Sequence, residues 1–259
     1  MLMNDFLLTF LAAGQAALDL IGRAVLPVLF PFFVLTGLII NLANTSNKFV
    51  VAGLAYLSGY PNGTRLTKLL YDKGLVTQAT AQHLSVLTST PSPIFVIATV
   101  GTLFLQNTLL GIMIFLCAVL GAIINSWLWR PARATPQLVP VTAKTSAGMN
   151  FFAAFNQAMG NATTAIINVC GVVLFFFVLT KLLHLPVFLT GLLEMTTGVA
   201  ATLNPLLIEF FVCFGGLSVA VQNLLFAESF HLKFRTYLGY KLTHAVIACG
   251  LLASCLFFF

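Results

Sequence analysis

Charged residues are scarce in this sequence. Lysine, arginine, aspartate and glutamate make up 7% of the chain, whereas a typical soluble domain carries about 25%. Two long stretches, residues 74–129 and 145–180, contain none of the four. Each stretch exceeds the ~20 residues that a helix needs to span a bilayer. With a mean hydropathy of +1.02, the sequence predicts an all-α polytopic membrane protein and excludes a soluble globular domain.

Acidic residues are the rarer of the two charged classes, with six against twelve basic residues. The basic residues form no stripe and are scattered near the ends of apolar segments, where they serve as topology anchors. We therefore expect the lipid bilayer as a partner and no nucleic acid. The apolar N-terminal segment has no basic region, since Arg23 is the first cation. We interpret it as part of the mature protein and not as a cleaved signal peptide.

Sequence signatures of enzymes and metal sites are also missing. The chain contains no GxSxG, HExxH, GxxxxGK[ST] or GxGxxG pattern, so we do not expect an enzyme. The five cysteines form no CxxC pair and lie in apolar runs, where small buried side chains are expected. The four histidines show no spacing typical of metal ligands. The sequence therefore predicts no catalytic residue, no metal and no cofactor.

What the sequence does contain is four polar or flexible breaks inside apolar segments. They are LSGYPNGTR (residues 57–65, the first break), TSTPSP (88–93, the second), LEMTTG (193–198, the third) and FGGLS (214–218, the fourth). At membrane depth, backbone groups at such breaks must find partners inside the protein or line a wet cavity. We predict short half-helices on both sides of each break. The first and third breaks then become the tips of re-entrant hairpins.

The breaks follow the same order in two halves of the chain. Residues 1–129 and residues 149–259 each predict one gate-type repeat: an interfacial helix, a spanning helix, a re-entrant broken hairpin, a broken helix and a second spanning helix. Residues 130–148 form a basic linker with a charge of +3, which places it in the cytoplasm. The two repeats then have opposite orientations. Inverted repeats with helices broken at matching positions are typical of secondary transporters.

The interfacial helices are predicted at residues 4–22 and 149–165, each followed by a spanning helix at about 24–43 and 166–183. The first of them is long enough to cross the membrane. Its apolar face is interrupted by charged and polar side chains, so an interfacial position is the preferred interpretation.

Each break begins a new half-helix, whose N-terminus presents free N–H groups and a partial positive charge. Four such ends near the membrane midplane predict a pocket that attracts a small anion. Arg65 lies one turn into its half-helix, within reach of a substrate carboxylate. The alternatives are that Arg65 extends to the cytoplasmic face or pairs with Glu194. The predicted substrate-binding residues are Asn62, Gly63, Thr64, Arg65, Ser89, Ser92, Thr196, Thr197, Gly198, Gly216, Ser218 and Gln222.

Glu194 is the one carboxylate at a predicted break. Because acids are rare inside membranes, we predict that it binds a coupling proton or sodium ion. The alternative is a structural role as a partner for a backbone N–H group or for Arg65. Glu209 and Glu228 flank apolar segments, and we expect both at the solvated interface.

Four segments together resemble a known family. They are PFFVLTGL (31–38), GYPNGTRL (59–66), PSPIFVIATVG (91–101) and FGGLSVAVQ (214–222). The sequence is similar in these segments to YlbJ/SpoVV-like integral membrane proteins with gate, or nucleoside-recognition, domains, and more distantly to concentrative nucleoside carriers. The resemblance implies a multi-pass carrier in the cell membrane, and the best-known members are implicated in moving dipicolinic acid during spore formation. The chain is shorter than the group, and its PSP turn stands where an Asn-Ser-Gly-Pro-like turn is expected.

Together these observations predict a small secondary transporter that moves a small organic anion, such as a dipicolinate-like aromatic carboxylate, by alternating access. One alternative is a carrier of nucleosides or other polar solutes, which would accept glutamine in place of Arg65. The other is a non-transporting membrane subunit that anchors or regulates a partner, which a dry break region without a cavity would favour. A homodimer is compatible with the small size of the chain.

Overall fold

The computed structural model describes residues 2–43, 48–129 and 150–258, and every regular element in these ranges is helical. The first half contains α1 (Leu2–Leu20), a π-helical turn (Ile21–Val25), α2 (Leu26–Ala43), α3 (Lys48–Ser58), α4 (Asn62–Asp72), α5 (Gln78–Leu87), the π-helical segment Ile94–Phe104 and α6 (Thr108–Leu128). The second half contains α7 (Phe151–Leu183), α8 (Val187–Leu193), α9 (Met195–Ala200), α10 (Pro205–Phe214), α11 (Gly216–Ala227), a 3₁₀ turn (Glu228–Phe230) and α12 (Phe234–Phe258).

Several helices have the length and composition of membrane spans, which confirms the prediction of an all-α multi-pass membrane protein. Within the described residues there are five such stretches: Phe6–Arg23, Thr108–Leu128, Phe151–Leu183, Pro205–Phe230 and Phe234–Phe258. The predicted cytoplasmic linker at 130–148 lies outside the described residues.

All four predicted breaks interrupt helices. Between α3 and α4 the chain turns at residues 59–61, and between α5 and the π-helical segment it is non-helical from 88 to 92. Glu194 alone separates α8 from α9, and Gly215 alone separates α10 from α11. Gly215 adopts a left-handed conformation with φ of 83°, which ends α10 as a glycine C-cap does. The element order of residues 48–128 is thus repeated over 187–258.

The two predicted interfacial helices are not separate elements. α7 runs without interruption over Phe151–Leu183, where the sequence predicted two helices at 149–165 and 166–183. Its polar residues do not break it, because the hydroxyls of Thr163 and Thr164 bond back to the carbonyls of Met159 and Gly160. In the first half, α1 continues into α2 through the π-helical turn just before Pro27. Pro27 lacks the N–H group that would bond to residue 23, so the helix adjusts locally without ending.

Long helices from the two halves pack on each other. α7 contacts both α1 and α2, and α12 runs along α6. Small residues bring these pairs close: a Cβ built on Gly121 of α6 would lie 3.0 Å from the Cβ of Ala248 on α12. Gly37 of α2 similarly faces Ala158 of α7. Small residues at such contacts let membrane helices approach closely, so the long helices frame the broken ones.

Candidate functional site

A cavity of about 320 Å³ lies where the four breaks meet. Each break contributes to one wall, which we call the polar wall because it carries most of the polar lining side chains. Ser58 and Tyr60 come from the first break, Pro91 and Ser92 from the second, Glu194, Met195 and Thr196 from the third, and Ser218 from the fourth, with Val219 and Gln222 following it on α11. The structure therefore brings together four segments that are far apart in the sequence. Of the predicted site residues, the lining includes Ser92, Glu194, Thr196, Ser218 and Gln222.

The rest of the cavity lining is mostly apolar, and we call it the apolar wall. Its side chains come from the first helices, the π-helical segment and α7, and they include Val28, Leu29, Phe95, Phe104 and Val169. The sequence predicted no role for this wall, because which face of these apolar helices turns toward the breaks depends on tertiary packing. Arg23, in the π-helical turn between α1 and α2, is the one lysine or arginine among the lining residues. The cavity thus combines an apolar side, hydroxyl and amide groups, one carboxylate from Glu194 and one cation from Arg23.

The first and second breaks interlock. The backbone N–H of Tyr60 donates to the carbonyl oxygen of Thr90 at 2.8 Å. Gly59 has φ of 72°, and a Cβ there would lie 2.5 Å from the backbone nitrogen of Ser92. Only glycine fits such a close approach at a positive φ. Farther along, a Cβ on Gly63 would lie 2.5 Å from Oγ1 of Thr88, so Gly63 serves helix packing and not the cavity.

Asn62 and Thr64 belong to a buried polar network behind the cavity. The amide of Asn62 donates to the hydroxyls of Ser58 at 2.7 Å and Thr36 at 3.2 Å. The hydroxyl of Thr64 donates to Oδ1 of Asn223 on α11 at 2.5 Å. These bonds satisfy polar groups at the start of α4 and tie it to α2 and α11. Asn62 and Thr64, which the sequence predicted to contact substrate, are not among the residues that line the cavity.

Arg65 points away from the cavity and onto α2. Its side chain is 3% exposed, and its guanidinium donates to Asn62 Oδ1 at 2.8 Å and to the carbonyl of Phe33 at 2.6 Å. The same group bonds Oγ1 of Thr36 at 3.0 Å and lies over the Phe33 ring, 4.6 Å from its centroid. All of these partners are neutral. Arg65 therefore neither reaches the membrane surface nor pairs with Glu194 in the described structure.

Glu194 lines the cavity and also caps α9. One carboxylate oxygen accepts from the N–H of Thr196 at 3.1 Å, and the other accepts from the N–H and the hydroxyl of Thr197, both at 2.6 Å. This is an N-cap arrangement, in which an acid satisfies the free N–H groups of the first turn. Glu194 therefore has the structural role that the sequence left open as an alternative, that of a partner for backbone N–H groups. Thr197 serves this cap and does not line the cavity.

The remaining predicted residues stabilise the backbone around the cavity. A Cβ on Gly198 would lie 2.3 Å from the Cα of Gly191, so this pair lets α8 and α9 touch. Gly216, with φ of 71°, packs beside the last carbonyls of α8. Ser89 bonds its hydroxyl to Tyr237 of α12 at 2.8 Å. Ser218 and Gln222 do line the cavity and bond each other at 3.2 Å.

Two ionisable residues are buried where the sequence did not place them. Glu209 was expected at the solvated interface, but its side chain is 0% exposed, because α10 packs against α12 and α6. One of its oxygens accepts from the Cys213 thiol at 3.4 Å, and the other has no hydrogen-bond partner among the residues that the structure describes. Lys241 of α12 is likewise 0% exposed and was not singled out. The signal for it was present: a single lysine inside a long apolar helix is rare and often functional.

Comparison with known proteins gives one partial similarity that we report here. The chain is 27% identical over 129 residues to the sporulation integral membrane protein YlbJ of Bacillus subtilis (strain 168). The alignment covers 42% of this chain and 31% of that protein, so the match spans about a third of the relative's length. No family model matches the chain. No solved structure matches it either. The similarity supports a YlbJ-like membrane protein and agrees with the apolar helices of the fold.

Proposed function

We propose that this protein is a small secondary transporter that moves a small organic anion across the cell membrane by alternating access. The observation that carries the proposal is the meeting of four helix breaks around one cavity. Broken helices that surround a site near the midplane are the usual construction of secondary transporters. In this proposal the α3–α4 and α8–α9 pairs are re-entrant hairpins of two inverted gate-type repeats.

The cavity suits a small aromatic carboxylate. Its volume of about 320 Å³ lies at the lower end of the range for ligand pockets, roughly 300–1,000 Å³. The apolar wall with Phe95 and Phe104 would contact an aromatic ring, and the polar wall would bind its substituents. Arg23 would meet the carboxylate, since a guanidinium binds carboxylates through paired hydrogen bonds. In this proposal Arg23 binds the substrate carboxylate, the role that the sequence analysis predicted for Arg65.

A neutral polar solute, such as a nucleoside, is the second candidate. It is favoured by the uncharged hydroxyl and amide groups that make up most of the polar side chains of the polar wall, and because Arg65 is not among the described residues that line the cavity. Glu194 is proposed as the group that binds a coupling proton or sodium ion, since its carboxylate lines the cavity. A non-transporting subunit is less well supported, because such a protein has no need of a cavity at its breaks.

The test is uptake of radiolabelled dipicolinate (pyridine-2,6-dicarboxylate) into proteoliposomes that contain the full-length protein. Wild type should accumulate the label, and Ser218→Leu, which fills the cavity, should abolish uptake. Arg23→Gln should raise KM by about tenfold, the effect of losing one hydrogen bond to a charged group. Lys181→Gln is the matched control, because Lys181 is an exposed cation of α7 outside the cavity lining.

Other outcomes separate the candidates. If dipicolinate is not taken up but uridine is, and Ser218→Leu blocks the uridine, the neutral-solute carrier replaces the anion carrier. If neither compound moves and no organic acid or nucleoside shifts the unfolding temperature of the purified protein, the transporter proposal is wrong and the subunit takes its place.

A further inference from the structure

Lys241 lies at the centre of the break region without a counter-ion. It sits on α12, which has the length and composition of a membrane span, and its side chain is 0% exposed. Within the described residues no carboxylate lies at ion-pair distance from its ammonium group. A charge buried in this way is costly in a membrane, so the groups around it must favour the cation.

The ammonium group is held by an oxygen and a ring from two different breaks. Nζ donates to the carbonyl of Ser89 at 2.6 Å, just past the C-terminal end of α5. It also lies over the ring of Tyr60, 5.6 Å from the centroid, within the distance of roughly 6 Å at which an aromatic face attracts a cation. Tyr60 itself lines the cavity. Lys241 therefore stands directly behind the cavity wall.

These surroundings are those of a cation site. The C-terminal end of a helix carries a partial negative charge, and transporters bind coupling cations at carbonyls of unwound backbone and at half-helix C-termini. Here the carbonyl at the end of half-helix α5 is already occupied by an ammonium that belongs to the chain. The hydroxyl of the same Ser89 is fixed by Tyr237, so the carbonyl is held in place for its partner.

We propose that the ammonium group of Lys241 occupies a cation site at the end of α5. In a sodium-coupled carrier, a free monovalent cation would bind at such a site. The break region then needs no sodium to hold Ser89 and Tyr60 together. In the cycle of the proposed transporter, loss of the Lys241 proton would release both groups, so the proton is the coupling ion at this site. This last step rests on the proposed function, whereas the occupancy of the site does not.

Several titratable side chains surround Lys241. Those that face it are Cys213 of α10, His244 one turn along α12, and Tyr60 at the first break. Tyr237 reaches it through Ser89. Glu209 contacts the far side of the network through Cys213.

The test measures unfolding temperatures of the purified full-length protein and requires no substrate. In Glu194→Gln, which lacks the other proposed sodium-binding group, the unfolding temperature should be the same in sodium chloride and in choline chloride, because Lys241 fills the cation site at the end of α5. Lys241→Ala should unfold about 5 °C lower than wild type, since the Ser89 carbonyl loses its partner. Ethylammonium, which is small enough to replace the lost ammonium, should restore several degrees to Lys241→Ala and leave wild type unchanged, whereas choline should restore none.

Further variants keep the inference falsifiable. Lys241→Met has a similar size without the charge, and it should be as unstable as Lys241→Ala but not respond to ethylammonium. Lys181→Ala, which removes an exposed cation, should behave as wild type. The inference is overturned if Lys241→Met matches wild type, if ethylammonium shifts wild type and Lys241→Ala equally, or if sodium stabilises Glu194→Gln. The last result is decisive even where Lys241→Ala does not fold, and none of these results depends on dipicolinate uptake.

Discussion

Arg65 joins the start of α4 to α2 through neutral acceptors, so its loss should affect stability before transport. In Arg65→Gln the carbonyl of Phe33 and the amide oxygen of Asn62 lose their donor. Leaving buried acceptors unpaired costs about 1–3 kcal/mol. We therefore expect a lower unfolding temperature in detergent, while uptake by the molecules that fold is retained.

The control for this prediction is Lys68→Gln. Lys68 forms an exposed ion pair with Asp72 on the same helix, and exposed pairs contribute at most ~1 kcal/mol. If Arg65→Gln is as stable as wild type but loses uptake of anions, the position of Arg65 away from the cavity is wrong.

Glu194 offers a second prediction, because its cap and its proposed coupling role respond differently to the same change. Glu194→Ala removes the cap of α9 and should cost about 1–2 kcal/mol, as measured by thermal unfolding. Glu194→Gln keeps an oxygen that accepts from the Thr196 or Thr197 N–H, so it should retain most of that stability. If Glu194→Gln is stable yet its uptake no longer depends on pH or sodium, the coupling role is supported. Equal destabilisation by both variants would contradict the cap.

The sequence was sufficient to predict that polar residues lie at the breaks, but not which way their side chains point. The polar residues at 58–65 and 88–93 had to satisfy a broken backbone, and that requirement alone located them. Whether Arg65 faced α2 or the cavity depended on how α4 is rotated against its neighbours. For the same reason, the sequence analysis placed Glu209 at the interface and did not single out Lys241. Each is buried only because α10 and α12 pack together.

At the scale of elements, the α8–α9 hairpin depends on contact between two glycines. A methyl group at Gly198 would lie 2.3 Å from the Cα of Gly191, so Gly198→Ala must push the two helices apart. Overpacking of this kind costs about 1–3 kcal/mol, which thermal unfolding would detect. Gly171→Ala in α7 is the matched control, because a Cβ there meets no atom within 4 Å. It should be neutral or raise stability by up to about 1 kcal/mol, since alanine is the better helix former. Equal stability of the two variants would show that the glycine contact is not tight.

Element boundaries were predictable wherever glycine, proline or a cap marks them. Thr77, Asn107 and Asn204 accept hydrogen bonds from the first turns of α5, α6 and α10, and the sequence already shows these residues before apolar runs. The continuity of α7 was not predictable from composition, because a streak of asparagine and threonine is typical of an interfacial helix as well. The helix continues through this streak because the threonine hydroxyls donate to carbonyl oxygens of the same helix.

At the scale of the whole molecule, the orientation of the two repeats can be tested by chemical labelling. The proposed inverted repeats place Gln78, at the start of α5, inside the cell and Leu203, just before α10, outside, although the two positions would correspond in the repeat. Single substitutions Gln78→Cys and Leu203→Cys, each in a background with the five native cysteines replaced, should therefore react differently with a membrane-impermeant maleimide. In intact cells only Leu203→Cys should be labelled, and after lysis both should be. Labelling of both in intact cells, or of neither, would contradict the inversion.

The pairing of long helices across the two halves limits how this molecule can move. α2 packs with α7, and α6 packs with α12, so each pair takes one helix from each half. A motion that swung residues 1–129 as one body away from 149–259 would have to pull both pairs apart. Each pair therefore forms a rigid support that contains one helix from each half. A motion that opens the cavity must displace the short broken helices relative to these two pairs.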